Sequence, residues 1–201
     1  EQSRIVFLDA LLKLRQICCD PRLLGMREAN ELASAKLDYL IELLNTLVKE
    51  GRRVLLFSQF TRMLGLIRER LRAQGISYLE LTGSSRNRGE LVEQFQAGEM
   101  PLFLISLKAG GTGLNLTAAD TVIHYDPWWN PAAEAQATDR AYRIGQTRPV
   151  FVHRLICSGT VEERIQKLQV DKAKLADDLL AGANKVIAPD EDTLKQLLAP
   201  L

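Results

Sequence analysis

Val54-Leu-Leu-Phe-Ser58 decides the fold, because this aliphatic run stands between two segments of helical period. Upstream, Leu37, Leu40, Ile41, Leu44, Leu47 and Val48 keep helical spacing from Lys36 to Gly51. Downstream, Phe60, Leu64, Ile67 and Leu71 do the same as far as about Gly75. A short apolar run without alternation is what a strand covered on both faces requires. Ser77–Leu81, Leu102–Ser106, Thr121–Tyr125 and Val150–Ile156 are further strand candidates, and Leu91, Val92 and Phe95 mark another helix among them. Strands that alternate with helical segments of ~10–15 residues predict a parallel sheet joined by crossovers. The expected core is a three-layer α/β domain, a parallel sheet with helices on both faces.

Both ends extend beyond this core. Leu8, Leu11 and Leu12 give a helix that Asp20-Pro21 closes, and the stretch from Pro21 to Ala33 reads as a connector. After the last strand, Thr160-Val-Glu-Glu163 has the form of a capping box. It opens a long helix with Val161, Ile165, Leu168, Leu175 and Leu179 along one side, followed by a hinge at Gly182-Ala-Asn184 and a terminal helix over Asp190–Leu198. The division is therefore 1–33 as linker helix and connector, 34–158 as the α/β lobe, and 159–201 as a C-terminal helical extension.

Composition narrows the function classes. Hydrophobic residues make up 46% and aromatics 6%, which suits an aliphatic layered core and excludes a disordered chain. The 26 Lys and Arg against 25 Asp and Glu leave a net charge of +1, so nucleic acid would have to meet a local basic patch. Three cysteines, two of them adjacent at Cys18 and Cys19, form neither a disulfide framework nor a spaced metal motif, so no metal site is expected. His124 and His153 lie in strand patterns and read as core residues. No apolar run approaches the ~18 residues of a membrane span, and the expectation is a soluble intracellular protein with no membrane partner. The first residue, Glu1, also leads to the expectation that further sequence precedes it.

In an open parallel sheet, ligands meet the loops at the carboxyl ends of the strands. Ser58-Gln59, Thr82-Gly83-Ser84-Ser85, Lys108-Ala109-Gly110-Gly111-Thr112-Gly113 and Asp126-Pro127-Trp128-Trp129-Asn130-Pro131 all fall there. Glycines let backbone N–H groups approach phosphates, and Ser, Thr and Lys add donors without bulk. Gln136, Arg140 and Arg143 recur at i, i+4 and i+7. With Asn130 as N-cap, Pro131 as first residue and Gly145 as stop, they are expected on one face of one helix. Two guanidinium forks one turn apart fit an oxyanion cluster whose charge grows during phosphoryl transfer.

Together these blocks resemble the C-terminal RecA-like lobe of the Swi/Snf-type ATPases, superfamily 2 helicase-like translocases of double-stranded DNA. The resemblance covers about Leu11 to Gln169 and runs through Ser34-Ala-Lys36-Leu37, Val54 to Phe60, Leu81 to Ser84, Ala109 to Asp120 and Trp129-Asn-Pro131. Its most specific element is Gln136 through Gln146. It implies that Arg140 and Arg143 are catalytic arginine fingers on ATP, that Gly113, Asn115 and Gln136 face the nucleotide, and that the final helix is a brace. Ser58, Gln59, Gly83, Ser84, Lys108, Ala109, Gly110, Gly111 and Trp129 would line double-stranded DNA, Lys108 standing where the family has Arg. ATP comes with Mg²⁺, whose ligands belong to an N-terminal lobe not represented in this sequence; that lobe and a nucleoprotein target are the other implied partners. The compact motif spacing points to a prokaryotic cytoplasm or nucleoid, a eukaryotic relative being nuclear. Two alternatives stay open at this point: a non-catalytic nucleic-acid or protein docking module, and the C-lobe of an RNA helicase, which fits Arg140 and Arg143 but not Asp139 and Gln146.

Overall fold

The computed structural model describes residues 2–109, 113–178 and 191–199, with side chains described for 5–109, 113–171 and 192–199. Gly110, Gly111, the Gly182–Asn184 hinge, Leu179 and the side chain of Leu175 lie outside the described residues. The elements are α1 (Gln2–Cys19), α2 (Ala35–Lys49), β1 (Val54–Ser58), α3 (Thr61–Ala73), β2 (Tyr78–Leu81), α4 (Arg88–Ala97), β3 (Leu102–Ser106), β4 (Thr121–His124), α5 (Pro131–Thr138), β5 (Phe151–Arg154), α6 (Val161–Asp178) and α7 (Glu191–Leu198). Two short 3₁₀ turns, Pro21–Leu24 and Arg27–Glu31, occupy the connector.

The five strands pair in the order β2-β3-β1-β4-β5, and every pairing is parallel. All loops that follow a strand therefore open on the same edge of the sheet. β1, β3 and β4 are buried at every position, which is why their sequences run apolar without alternation. Alternate residues still divide between the faces. Val54, Leu56, Leu102 and Leu104 meet Leu37, Leu40, Leu44, Met63, Leu64 and Ile67 of α2 and α3. Leu55, Phe57, Phe103 and Ile105 meet Phe95 of α4, Ala137 of α5, Leu116 and Trp128. The edge strands show their position in composition: β5 is half-exposed, and Arg52 lies over its Phe151 ring with the guanidinium 4.6 Å from the centroid. The architecture is the RecA-like three-layer α/β fold.

A third cluster joins the ends of the chain. Leu11 of α1, Val161 and Ile165 of α6, and Leu194 and Leu197 of α7 pack together, with Trp129 against them. The start of α6 departs from a regular capping box. Thr160 Oγ1 accepts from Glu162 N at 3.2 Å, but Glu163 Oε2 accepts from Gly159 N, at 2.9 Å, rather than from Thr160 N. Glu162 itself turns inward to Lys36, whose ammonium donates to Glu162 Oε1 at 2.7 Å, Leu155 O at 3.0 Å and Tyr125 O at 3.1 Å. This buried pair fastens the first turns of α2 and α6 to the ends of β4 and β5.

Candidate functional site

Asn130 and Pro131 start α5, the Asn130 Oδ1 accepting from Ala132 N at 3.1 Å. The helix does not continue to Gly145. It stops at Thr138, so Gln136, Arg140 and Arg143 do not share one helical face. Past that point the backbone bonds tighten to i→i−3, Arg140 N donating to Ala137 O at 3.4 Å and Ala141 N to Thr138 O at 3.0 Å. Arg140 O accepts from Leu116 N at 3.0 Å, and Ala141 O accepts from the Gln146 side-chain amide at 3.0 Å. That amide also reaches Ala119 O at 2.7 Å and Thr117 O at 3.1 Å. Residues 139–146 therefore lie as a turn against residues 113–119, and Gln146 is the clasp between them.

This arrangement gives the two arginines different surroundings. Arg140 is 5% exposed, and its Nε and Nη1 have no hydrogen-bond partner among the described residues. Burial lowers its pKa from the ordinary guanidinium value, and the nearby Arg143 charge lowers it further. Arg143 is exposed, and its Nη1 donates to Gly113 O at 3.3 Å. Gln136, Gly113 and Asn115 are also exposed. The turn thus brings Arg140, Arg143 and Gly113 together as a cationic corner beside the loop after β3.

The other strand ends divide into surface and support. Gly83 and Ser84 are exposed on a turn fixed by Thr82 N donating to Ser85 Oγ at 2.9 Å and Ser85 N donating to Thr82 O at 3.1 Å. Lys108 is exposed and Gln59 half-exposed. Ser58 and Ala109, expected among the DNA-facing residues, are fully buried. The Ser58 side chain ends a central strand and donates to Asp126 Oδ1 at 2.6 Å, while the Ala109 methyl joins the apolar cluster beneath α4. Both side chains face the interior. Trp129 is half-buried against the α1/α6/α7 cluster, which draws it onto the helical extension.

Three charged residues carry more of the architecture than their sequence positions indicate. Asp126 is buried, accepting from Ser58 Oγ and from Gln59 N at 3.3 Å; burial pushes its pKa up while these bonds oppose the shift. Lys36 sits beside Leu37 in the apolar stripe of α2, a signal of burial, but nothing local marks Glu162 as its partner. Glu134 is buried at 3% exposure and tied to Arg154, Trp128 and Gln169. His124 is buried, and desolvation lowers its pKa to about 4, so it is neutral at neutral pH. Among the described residues no cluster of three or more His, Cys, Asp or Glu side chains could hold a metal ion, and no helix is long and apolar enough to cross a membrane.

Residues 35–145 match the model of the helicase conserved C-terminal domain. The chain belongs to this helicase C-terminal domain family. Within it the relatives are of the Swi2/Snf2 type. The chain is 42% identical to the putative ATP-dependent helicase/translocase YwqA of Bacillus subtilis over 202 residues, covering 98% of the chain and 22% of that protein. It is 44% identical to the chromatin-remodeling ATPase INO80 of Mus musculus over 171 residues, 84% of the chain and 11% of the relative. Among solved structures, the Sulfolobus solfataricus SWI2/SNF2 ATPase core in complex with dsDNA superposes with a TM-score of 0.72 at 36% identity, over 89% of this chain and 38% of that one. The chain thus spans about a fifth of the length of its bacterial relative.

Proposed function

We propose that this helicase C-terminal domain is the second lobe of an ATP-dependent translocase of double-stranded DNA and completes the hydrolytic site for ATP held on an N-terminal lobe. The observation that carries the reading is Arg140, a buried guanidinium with two nitrogens lacking partners among the described residues, beside exposed Arg143. A desolvated cation without a counter-ion is costly, and sites arranged this way are characteristically built for an anion. A nucleotide γ-phosphate supplies that anion. As negative charge spreads over the transferring phosphoryl group, Arg140 acts in low dielectric and Arg143 from the solvent side, so both interactions strengthen toward the transition state. Mg²⁺, bound with ATP on the other lobe, would supply charge neutralisation at the phosphate oxygens; this chain contributes the two arginines, with Gly113 O orienting Arg143 and with Asn115 and Gln136 at the nucleotide edge.

Gln59, Gly83, Ser84 and Lys108 form the DNA-phosphate track. Ser58, Ala109 and Asp126 hold that track from inside. Lobe closure brings the arginines to the nucleotide and opening releases them, so hydrolysis drives stepping along the duplex. The dsDNA bound to the archaeal SWI2/SNF2 core favours duplex DNA over RNA. The test is ATP hydrolysis by the full-length protein with duplex DNA, with RNA and without nucleic acid. Stimulation by duplex DNA and loss of turnover in Arg140→Ala are expected; stimulation by RNA alone would replace this reading with that of an RNA helicase lobe.

A further inference from the structure

α5 leads directly into the arginine turn, yet it has little apolar surface with which to hold its direction. It is eight residues long, and Glu134 and Ala137 are its buried residues. A helix this short draws its stability from tertiary contacts. The Glu134 carboxylate provides them through hydrogen bonds. Its Oε1 accepts from Arg154 Nε at the end of β5. Its Oε2 accepts from Trp128 N at 3.4 Å and from Gln169 Nε2, on α6, at 3.3 Å. The same Gln169 amide donates to Trp128 O. At the other end of α5, Thr138 Oγ1 donates to Glu134 O at 3.2 Å and lies 3.0 Å from His124 Nε2. Arg140 follows two residues later.

From this geometry we infer that Glu134 is a positioning residue that transmits the placement of α6, through Gln169, to Arg140 and Arg143. The inference rests on the reading of those arginines given above. The carboxylate touches α6, β5 and the loop after β4 at once, so a shift of α6 turns α5 and carries the arginine turn with it. A partner that moved α6 would change turnover without touching nucleotide or DNA. Burying a carboxylate for this purpose gives a directional joint, which an apolar side chain would not.

The experiment uses the full-length protein and four variants: Glu134→Gln, Gln169→Ala, Arg143→Ala and the Glu134→Gln/Arg143→Ala double. Turnover is measured per nucleotide-binding-competent molecule, together with KM for ATP, DNA affinity and Tm. Misplacing catalytic groups by about 1 Å costs on the order of 100-fold. Glu134→Gln should therefore lower kcat ~10- to 100-fold, with KM and DNA affinity changed less than ~3-fold. Gln169→Ala keeps the Glu134–Arg154 pair and should lower kcat in the same sense by ~5-fold, giving a readout even if Glu134→Gln folds poorly. In the Arg143→Ala background, Glu134→Gln should cost less than ~3-fold more, because residues acting as a unit are non-additive. A full, additive loss in both backgrounds, or a lowered Tm with kcat per competent molecule unchanged, would reduce Glu134 to a structural role. Loss in Arg143→Ala with no change in Glu134→Gln and Gln169→Ala overturns this inference alone; wild-type turnover in Arg143→Ala overturns the arginine reading and the inference with it.

Discussion

Lys36→Met should be the most destabilising single substitution of a charged residue outside the arginine turn. The Lys36 and Glu162 side chains are 4% and 1% exposed, so neither charge is relieved by water. Removing the ammonium leaves the Glu162 carboxylate with Cys157 N at 2.9 Å as its remaining donor, and withdraws the donor that reaches Tyr125 O and Leu155 O. Breaking a buried pair from one side costs ~3–5 kcal/mol, a large share of the ~5–15 kcal/mol that holds a domain together. With an m-value of ~2 kcal/mol/M, the urea midpoint followed by far-UV circular dichroism should fall by about 2 M. Lys36→Met/Glu162→Gln should recover at least half of that loss, since no uncompensated charge then stays buried. A single-variant midpoint within ~0.5 M of wild type, or a double variant less stable than the single, would refute the reasoning.

The isolated chain should hydrolyse ATP no faster than background, because its arginines cannot assemble the transition-state charge without a bound, metal-complexed nucleotide; robust turnover by purified chain free of contaminating ATPase would contradict this. Its DNA binding should be weak, with log K falling against log salt at a slope of about −3 for ~3 neutralised phosphates, as read by fluorescence anisotropy across a salt series. His124 gives a pH signature. Its folded pKa of about 4 lies below the ordinary 6.5, so its contribution to stability is intact above 6.5 and is lost as pH falls through this window. Urea midpoints measured from pH 7 to 4 should show His124→Gln losing less stability than wild type over that range, by up to ~3 kcal/mol.

The strands were legible because β1, β3 and β4 are covered on both faces and their unbroken aliphatic runs have no other economical explanation. The order of the strands was not, since it depends on which crossovers pack together and leaves no local mark. The arginine turn shows the limit of periodicity. Gln136, Arg140 and Arg143 keep helical spacing, yet α5 ends at Thr138, where the backbone bonds pass to i→i−3, and Leu116 N–H and the Gln146 amide hold the Arg140 and Ala141 carbonyls in the turn that follows. The loops were correctly located at the carboxyl edge, but the sequence could not separate Gly83, Ser84 and Lys108, which face outward, from Ser58 and Ala109, which face in. Glu134 and Glu162 were invisible for a related reason. A Glu near a helix start reads as a solvated dipole partner, and each acquires its role only through residues distant in sequence, Arg154 and Gln169 for one and Lys36 for the other.

The most direct test of the central claim compares wild type and Arg143→Ala in the full-length protein, measuring DNA-stimulated ATP hydrolysis and DNA affinity side by side. Loss of a guanidinium that stabilises transferring phosphoryl charge should lower turnover by ~10³-fold or more, while DNA affinity persists because the Gly83 and Lys108 turns keep their donors. Arg143→Lys should not restore it, since a point charge does not reproduce the planar fork. Near-normal hydrolysis by a folded Arg143→Ala protein would contradict the account.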